Sequence, residues 1–155
     1  SSSAFADVDE KATNPAYYKL IYEGNEKVEK GRPANEVLFQ LQRDLIREIT
    51  KKEDCVIVGR CASEILRNTN AQMVSVYITA PLAFRIKREM ATDQLSKLQA
   101  ATLIRKIDAK RRKYYQYFTK KEWGNPNMYD ITLNSATLGL ERCADILVNY
   151  YENFL

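Results

Sequence analysis

With 155 residues, 45% of them apolar and 28% charged, the chain is long enough for one domain with its own core and too hydrophobic for wholesale disorder. The formal charge of +4 is modest, the absence of histidine excludes a His-bearing zinc centre and a His-dependent triad, and no apolar run approaches the ~20 residues of a membrane span. Three cysteines, Cys55, Cys61 and Cys143, form no C-x-x-C pair and read as packing residues of a protein in a reducing, cytoplasmic compartment, with no resident metal.

The first stretch, Ala4 to Lys30, mixes acids with Asn14-Pro15 and a Tyr-rich turn, which suggests a small helical subdomain. Gly24 to Pro33 is polar and reads as a surface loop. Asn35 suits the N-cap of a helix in which Val37, Leu38, Leu41, Leu45, Ile46 and Ile49 share one face. Cys55-Val56-Ile57-Val58 then runs into Gly59-Arg60, the pattern of a strand buried on both faces of a parallel sheet. A short helix to about Arg67 follows, then a second strand over Met73–Thr79. Pro81 opens a helix carrying Arg85 and Arg88, Thr92-Asp93-Gln94 interrupts it, and Ser96 caps a long basic helix to about Lys120. Trp123 to Asn127 is a loop, Tyr129–Asn134 a third strand, and a terminal helix from about Leu138 turns Leu140, Cys143, Ala144, Leu147 and Tyr151 to the core. Strands separated by helices predict an α/β fold with a parallel sheet flanked by helices.

Three groups of residues carry candidate chemistry. Arg60 stands beyond the carboxyl end of a strand, where sheets of this class bind anions, and a guanidinium grips phosphate or carboxylate bidentately; the plain alternative is a structural pair with Glu64. Arg85 and Arg88, three apart, share a helix face, as a solvated surface would also allow. Arg105, Asp108, Arg111 and Arg112 fall on one side of the basic helix, so the acid can hold guanidiniums in a preset geometry. Phosphoryl transfer requires such positive charge around the migrating group. A salt-bridged exposed helix is the structural alternative. Nucleic-acid binding, with Tyr114, Tyr115, Tyr117 and Phe118 as stacking platforms, is a rival that the acids elsewhere in the chain disfavour. No G-x-x-x-x-G-K-[ST] or G-x-G-x-x-G occurs, and the five glycines are too scattered to improvise one.

Taken together, Asp9–Asn14, Cys55–Ala62, Ala80–Arg88, Lys106–Arg111, Tyr114-Tyr115, Trp123-Gly124 and Tyr129–Ser135 resemble the bacterial cytidylate kinase-like proteins, P-loop nucleoside monophosphate kinase relatives. The likeness runs in register from about Asp7 to the C-terminus. Cys61 follows Gly59-Arg60 where cytidylate kinases proper carry an acid, as in the kinase-like branch. The resemblance implies a single kinase-like α/β domain, a P-loop NTPase fold whose N-terminal strand and P-loop have no counterpart here. Residues 4–47 would form the acceptor-nucleotide-binding helical region, and residues 48–155 the sheet core with a lid at about 92–122. It further implies Arg60 at the acceptor phosphate, Arg85, Arg88, Asn134 and Ser135 at the donor nucleotide, and Arg105, Asp108 and Arg111 as the catalytic lid set. ATP and Mg²⁺ would be the donor pair, a nucleoside monophosphate the acceptor, and phosphoryl transfer the reaction of the intact enzyme. Without a phosphate loop the chain alone is expected to be inactive. The alternative is a non-catalytic nucleotide-binding or self-assembling module, with homo-oligomers and no membrane partner.

Overall fold

The computed structural model describes residues 33–154, so the expectations for 4–30 and for all but the last residue of the 24–33 loop lie outside the described residues. The chain divides into two compact units, Ser1–Ala62 and Ser63–Leu155, which are taken in turn.

The first unit contains helix α1 (Ala34–Ile49). Glu36 in its first turn and Arg47 in its last complement the helix dipole. Pro33, not Asn35, occupies the N-cap; its fixed φ of −59° sets the chain for the helix, and no side chain caps it. Asn35 lies inside the first turn. Ala34 and Ile46 are buried, Val37, Leu38 and Ile49 are half-buried, and Leu41 and Leu45 are exposed, so the apolar face is narrower than its periodicity predicts. Thr50 closes the helix by donating its hydroxyl to the Ile46 carbonyl at 3.0 Å.

The segment after α1 corrects a sequence expectation. Cys55–Val58 belongs to no strand, and Val56 is 94% and Val58 76% exposed. A strand buried on both faces needs paired neighbours and covering helices. The described residues contain two strands, and these pair with each other. The apolar composition therefore identifies a segment suited to a sheet interior, whereas its local structure lacks the ladder that would bury it.

Helix α2 (Ala62–Leu66) spans the division between the units. In the second unit, β1 (Val76–Thr79) and β2 (Ile131–Asn134) pair in parallel, with Val76 opposite Ile131 and Thr79 opposite Asn134. Between them run α3 (Leu82–Asp93) and α4 (Lys97–Thr119), the helical crossover that parallel strands require. A 3₁₀ turn (Pro126–Met128) leads into β2, and α5 (Ser135–Leu138) and α6 (Leu140–Phe154) follow it. The fold is α/β, a small parallel sheet flanked by helices.

Register at the start of the sheet is fixed by Asp130. Its carboxylate accepts from the Ser75 amide at 2.8 Å and the Ser75 hydroxyl at 2.6 Å, while its own amide donates to the Ser75 carbonyl at 2.9 Å. These bonds hold the Asp130 carboxyl below its ordinary range, with the Ser75 hydroxyl the largest cause. The core of this unit gathers Ile65, Leu66, Ala100, Ile104, Tyr115, Leu133 and Cys143. On α6, Cys143 is buried but Leu140, Ala144 and Tyr151 are exposed, contrary to the face its periodicity predicts. A sheet of two four-residue strands offers too little apolar surface to cover a 15-residue helix. Among the described residues, no helix is long and apolar enough to cross a membrane.

Candidate functional site

The site is built by a helical hairpin. The chain leaves β1 at Thr79, and Pro81, at φ −55°, launches α3 with Arg85 one turn inside it. Helix α3 ends where Gln94 takes a left-handed φ of 54°. Two residues on, Ser96 starts α4 with a capping box: its hydroxyl accepts from the Gln99 amide at 3.3 Å, and the Gln99 side chain accepts from the Ser96 amide at 2.9 Å. The short reversal returns α4 along α3. Arg85 therefore meets Asp108, 23 residues downstream, in a bidentate ion pair with Nη1–Oδ2 2.7 Å and Nη2–Oδ1 2.8 Å.

This pair differs from the geometry expected of the sequence. Asp108 does not hold Arg105, Arg111 or Arg112 of its own helix; its partner is Arg85 on the neighbouring one. The carboxylate is mostly sheltered and the guanidinium about one-third exposed. Hydrogen bonding to Asp108 drives the Arg85 guanidinium further above its already high range, against the opposing effect of burial. Asp108 thus locks one guanidinium across the hairpin.

Sequence reasoning passed over the sheet side of this site. Tyr77, on β1, stacks on Tyr129 with centroids 4.9 Å apart and meets Trp123 edge-on at 5.9 Å. Gly124 closes over it: a Cβ there would lie 2.8 Å from the Tyr77 hydroxyl, and Gly124 has φ +80°. Burial raises the Tyr77 hydroxyl above its ordinary range, as does Asp108, while Arg85, Arg111 and Arg112 oppose the rise. Trp123-Gly124 is visible in the sequence only as a loop, and Tyr77 only as a strand residue.

The remaining candidates are dispersed. Arg88 lies one turn beyond Arg85 and Arg105 one turn before Asp108; both are exposed, without an ion pair among the described residues. Asn134 accepts from the Ala136 amide at 3.0 Å and so caps α5, and buried Ser135 donates its hydroxyl to the Thr79 carbonyl at 3.2 Å. Both are thus committed to the backbone where the strands end. In the first unit, Gly59, Arg60 and Cys61 adopt φ of 74°, 57° and 56°, three successive left-handed residues closed by the Ala62 amide bonding the Gly59 carbonyl at 3.1 Å. Non-glycine residues adopt that region rarely and persist there where the surroundings hold them, often at functional sites.

Of the aromatic residues on α4, Tyr115 is buried, and Phe118 packs edge-on against Tyr114 and Tyr117 at 4.8 and 4.9 Å. Tyr117 is half-exposed beneath the Lys120 ammonium, 5.0 Å from its ring centre. They pack against one another and do not form a row of open platforms. Among the described residues no group of three or more His, Cys, Asp or Glu side chains could hold a metal ion.

A model of the cytidylate kinase-like family matches residues 1–137. The chain belongs to that family. It is 28% identical over 119 residues to a cytidylate kinase of Desulfurococcus amylolyticus, an alignment covering 76% of this chain and 62% of that protein. It is 29% identical over 106 residues to a cytidylate kinase of Staphylothermus marinus, covering 67% of this chain and 58% of the relative. The match thus spans about three-fifths of the length of these curated relatives. Among solved structures, the crystal structure of an uncharacterized protein from Eubacterium ventriosum superposes with a TM-score of 0.70 and 26% identity, covering 87% of this chain and 80% of the other. The α3–α4 hairpin sets the Arg85–Asp108 clasp one turn of α4 before the exposed Arg111 and Arg112.

Proposed function

We propose that the chain carries the acceptor-binding and lid parts of a nucleoside monophosphate kinase, whose reaction is phosphoryl transfer from ATP to a nucleoside monophosphate. The observation that carries this reading is the bidentate Arg85–Asp108 pair, set beside the guanidinium-bearing turn of α4 in a chain of this family. Guanidiniums held in fixed orientation suit an anion that accumulates charge during transfer, because the protein then need not reorganise as the reaction proceeds.

Bound ATP supplies the transferable phosphoryl group. Arg85 and Arg111 hold its phosphate oxygens, and Asp108 fixes the plane of the Arg85 guanidinium. Arg105, exposed one turn before Asp108, adds a further positive charge. On residue correspondence alone, Arg88 and the Asn134–Ser135 corner face the donor nucleotide, Arg60 contacts the acceptor phosphate, and residues 92–122 act as the lid that excludes water. The donor set fits phosphate and offers no carboxylate cluster among the described residues, so Mg²⁺ would be carried by the nucleotide's own phosphates. The 155 residues contain no G-x-x-x-x-G-K-[ST], and turnover by this chain alone is negligible in this reading.

The test is isothermal titration of the 155-residue chain with ATP and a panel of nucleoside monophosphates, alongside a coupled assay for diphosphate formation. Binding of ATP that weakens about tenfold in Arg111→Gln, without turnover, is the expected result. A chain that binds no nucleotide overturns the proposal, and one that turns over overturns the claim of inactivity.

One observation favours the self-assembly reading. Val56 and Val58 expose an apolar segment that forms no ladder, and such segments are templates for strand pairing with another copy. Light scattering over a concentration series decides it: association lost in the Val56→Lys, Val58→Glu double variant supports assembly, and a clean monomer removes it.

A further inference from the structure

The outward face of α4 carries charge that the hairpin site does not use. Residues 105–121 hold eight Lys and Arg and one Asp, a formal +7, while the rest of the chain holds sixteen Lys and Arg against nineteen acids, a formal −3. The acids that nearly balance the whole chain therefore leave this helix unneutralised along its own length. Helical spacing sorts its side chains into two sets. Asp108 lies on the side of buried Ile104 and Tyr115 and is clasped by Arg85. Lys106, Lys110, Lys113 and Tyr117, at i, i+4, i+7 and i+11, line the opposite side, and Lys120 continues the row at the C-cap. Lys106, Lys113 and Lys120 are exposed, Tyr117 is 44% exposed, and neither Lys106 nor Lys113 makes an ion pair among the described residues. From Lys106 to Lys120 the row is about 21 Å long, at 1.5 Å per residue. It ends in a shallow groove of about 340 Å³ lined by Lys113, Gln116, Tyr117 and Lys120. There the Lys120 ammonium lies 5.0 Å from the centre of the Tyr117 ring and donates to the Tyr117 carbonyl at 2.8 Å.

We propose that this face binds single-stranded nucleic acid, with phosphates against Lys106, Lys113 and Lys120 and one base stacked in the groove at Tyr117. Charge complementarity selects a polyanion, and the rest of the helix narrows its class. A protein partner would be anchored by apolar or aromatic side chains around a core poor in lysine, whereas between Lys106 and Lys120 this row offers Tyr117 alone. A membrane-surface helix inserts its apolar side among lipids, whereas the apolar side of α4 is taken up in the core by Ala100, Ile104 and Tyr115. Lysines grip phosphate as point charges and read no base edge, and Tyr114 and Phe118 are half-buried, so binding is led by the backbone and indifferent to sequence.

The probe is a fluorescein-labelled oligothymidylate of about 16 nucleotides, titrated with the 155-residue chain and followed by anisotropy. Three or four neutralised phosphates should weaken binding roughly twentyfold to fiftyfold between about 50 and about 200 mM salt. The triple change Lys106→Gln, Lys113→Gln, Lys120→Gln should make the logarithmic salt slope shallower by about two, at unchanged ATP affinity. Tyr117→Leu should weaken the single strand about tenfold and leave a duplex of the same length unaffected. On the wild type, bound oligothymidylate should protect Lys106, Lys113 and Lys120 from acetylation, read by peptide mass, which serves equally if a variant fails to fold. No binding at low salt overturns the proposal, as does binding whose slope the triple change leaves unaltered or that protects none of the three lysines. Equal affinity for duplex and single strand, or a single-strand affinity indifferent to Tyr117→Leu, overturns the single-strand assignment. Capture by phosphatidylserine vesicles without binding of the oligonucleotide makes the face a membrane contact and overturns the proposal too. None of these outcomes depends on whether the hairpin holds ATP.

Discussion

Gly124 shows how one residue can set the geometry of a site without contributing a functional group to it. Its left-handed φ of +80° would be strained for any L side chain, and the position of its missing Cβ lies 2.8 Å from the Tyr77 hydroxyl and 3.1 Å from the ring carbon bearing it. Gly124→Ala should therefore destabilise the protein by about 2 kcal/mol, through backbone strain and displacement of the phenol together. The two causes separate in a double-mutant cycle. In a Tyr77→Phe background the closest contact is gone while the φ penalty remains, so the same substitution should cost visibly less in urea titration. Equal costs in both backgrounds would show that the phenol and the glycine do not press on each other. The left-handed run Gly59-Arg60-Cys61 is the contrasting case, since two of its three residues carry side chains and accept the strain that glycine avoids.

At the scale of elements, two of the cross-links in the second unit have distinct signatures. The Arg85–Asp108 pair joins α3 to α4, and removing one partner leaves the other sheltered without its countercharge. Asp108→Asn should cost about 2 kcal/mol, and the double change Arg85→Met, Asp108→Leu less than that, because an apolar pair leaves no charge behind. Thermal melts of the three variants check the order. The Ser75–Asp130 clamp joins the strand ends, and its contribution depends on pH. Asp130 has its carboxyl held below the ordinary range, so its hydrogen bonds contribute fully above the unfolded value of about 4 and are lost as pH falls through the lowered folded one. Wild type should thus exceed Asp130→Asn in stability at pH 7, and the gap should close below about pH 4, as read by urea midpoints. A gap independent of pH would remove the carboxylate from the account. The sequence makes the elements themselves legible: Ser96 caps α4 as expected of it, and β1 and β2 lie within the expected Met73–Thr79 and Tyr129–Asn134, each starting later, with the two helices between them. Partners are less legible, because helical spacing groups Asp108 with Arg105 and Arg111, whereas the hairpin turn at Gln94–Ser96 decides that it meets Arg85. The same limit hides Tyr77, whose neighbours Trp123 and Tyr129 arrive from more than 40 residues away. For Cys55–Val58 composition misleads outright, since apolar sequence can be read locally while a ladder partner cannot.

For the whole molecule, the division into Ser1–Ala62 and Ser63–Leu155 turns the functional proposal into a question of which unit answers to which ligand. Arg85, Arg105, Asp108 and Arg111 all lie in the second unit, and Arg60 in the first. A ligand that binds the folded state alone stabilises it by an amount set by its concentration relative to Kd, about 2.7 kcal/mol at a hundredfold excess. That stabilisation suppresses the local openings through which amides exchange wherever the bound elements must open. Inorganic tripolyphosphate, a mimic of the donor's phosphates, should therefore slow hydrogen exchange along α3 and α4 while leaving α1 unprotected. A nucleoside monophosphate should instead slow exchange around Gly59–Cys61 if Arg60 holds the acceptor phosphate. Peptide-resolved exchange with each ligand separately distinguishes these footprints. Were both ligands to protect the α3–α4 hairpin and neither the left-handed turn, Arg60 would lose its assigned role, and the hairpin would be a general phosphate site that does not distinguish donor from acceptor. Were the footprints to separate as expected, the acceptor contact and the donor clasp would be shown to reside in different units of the chain.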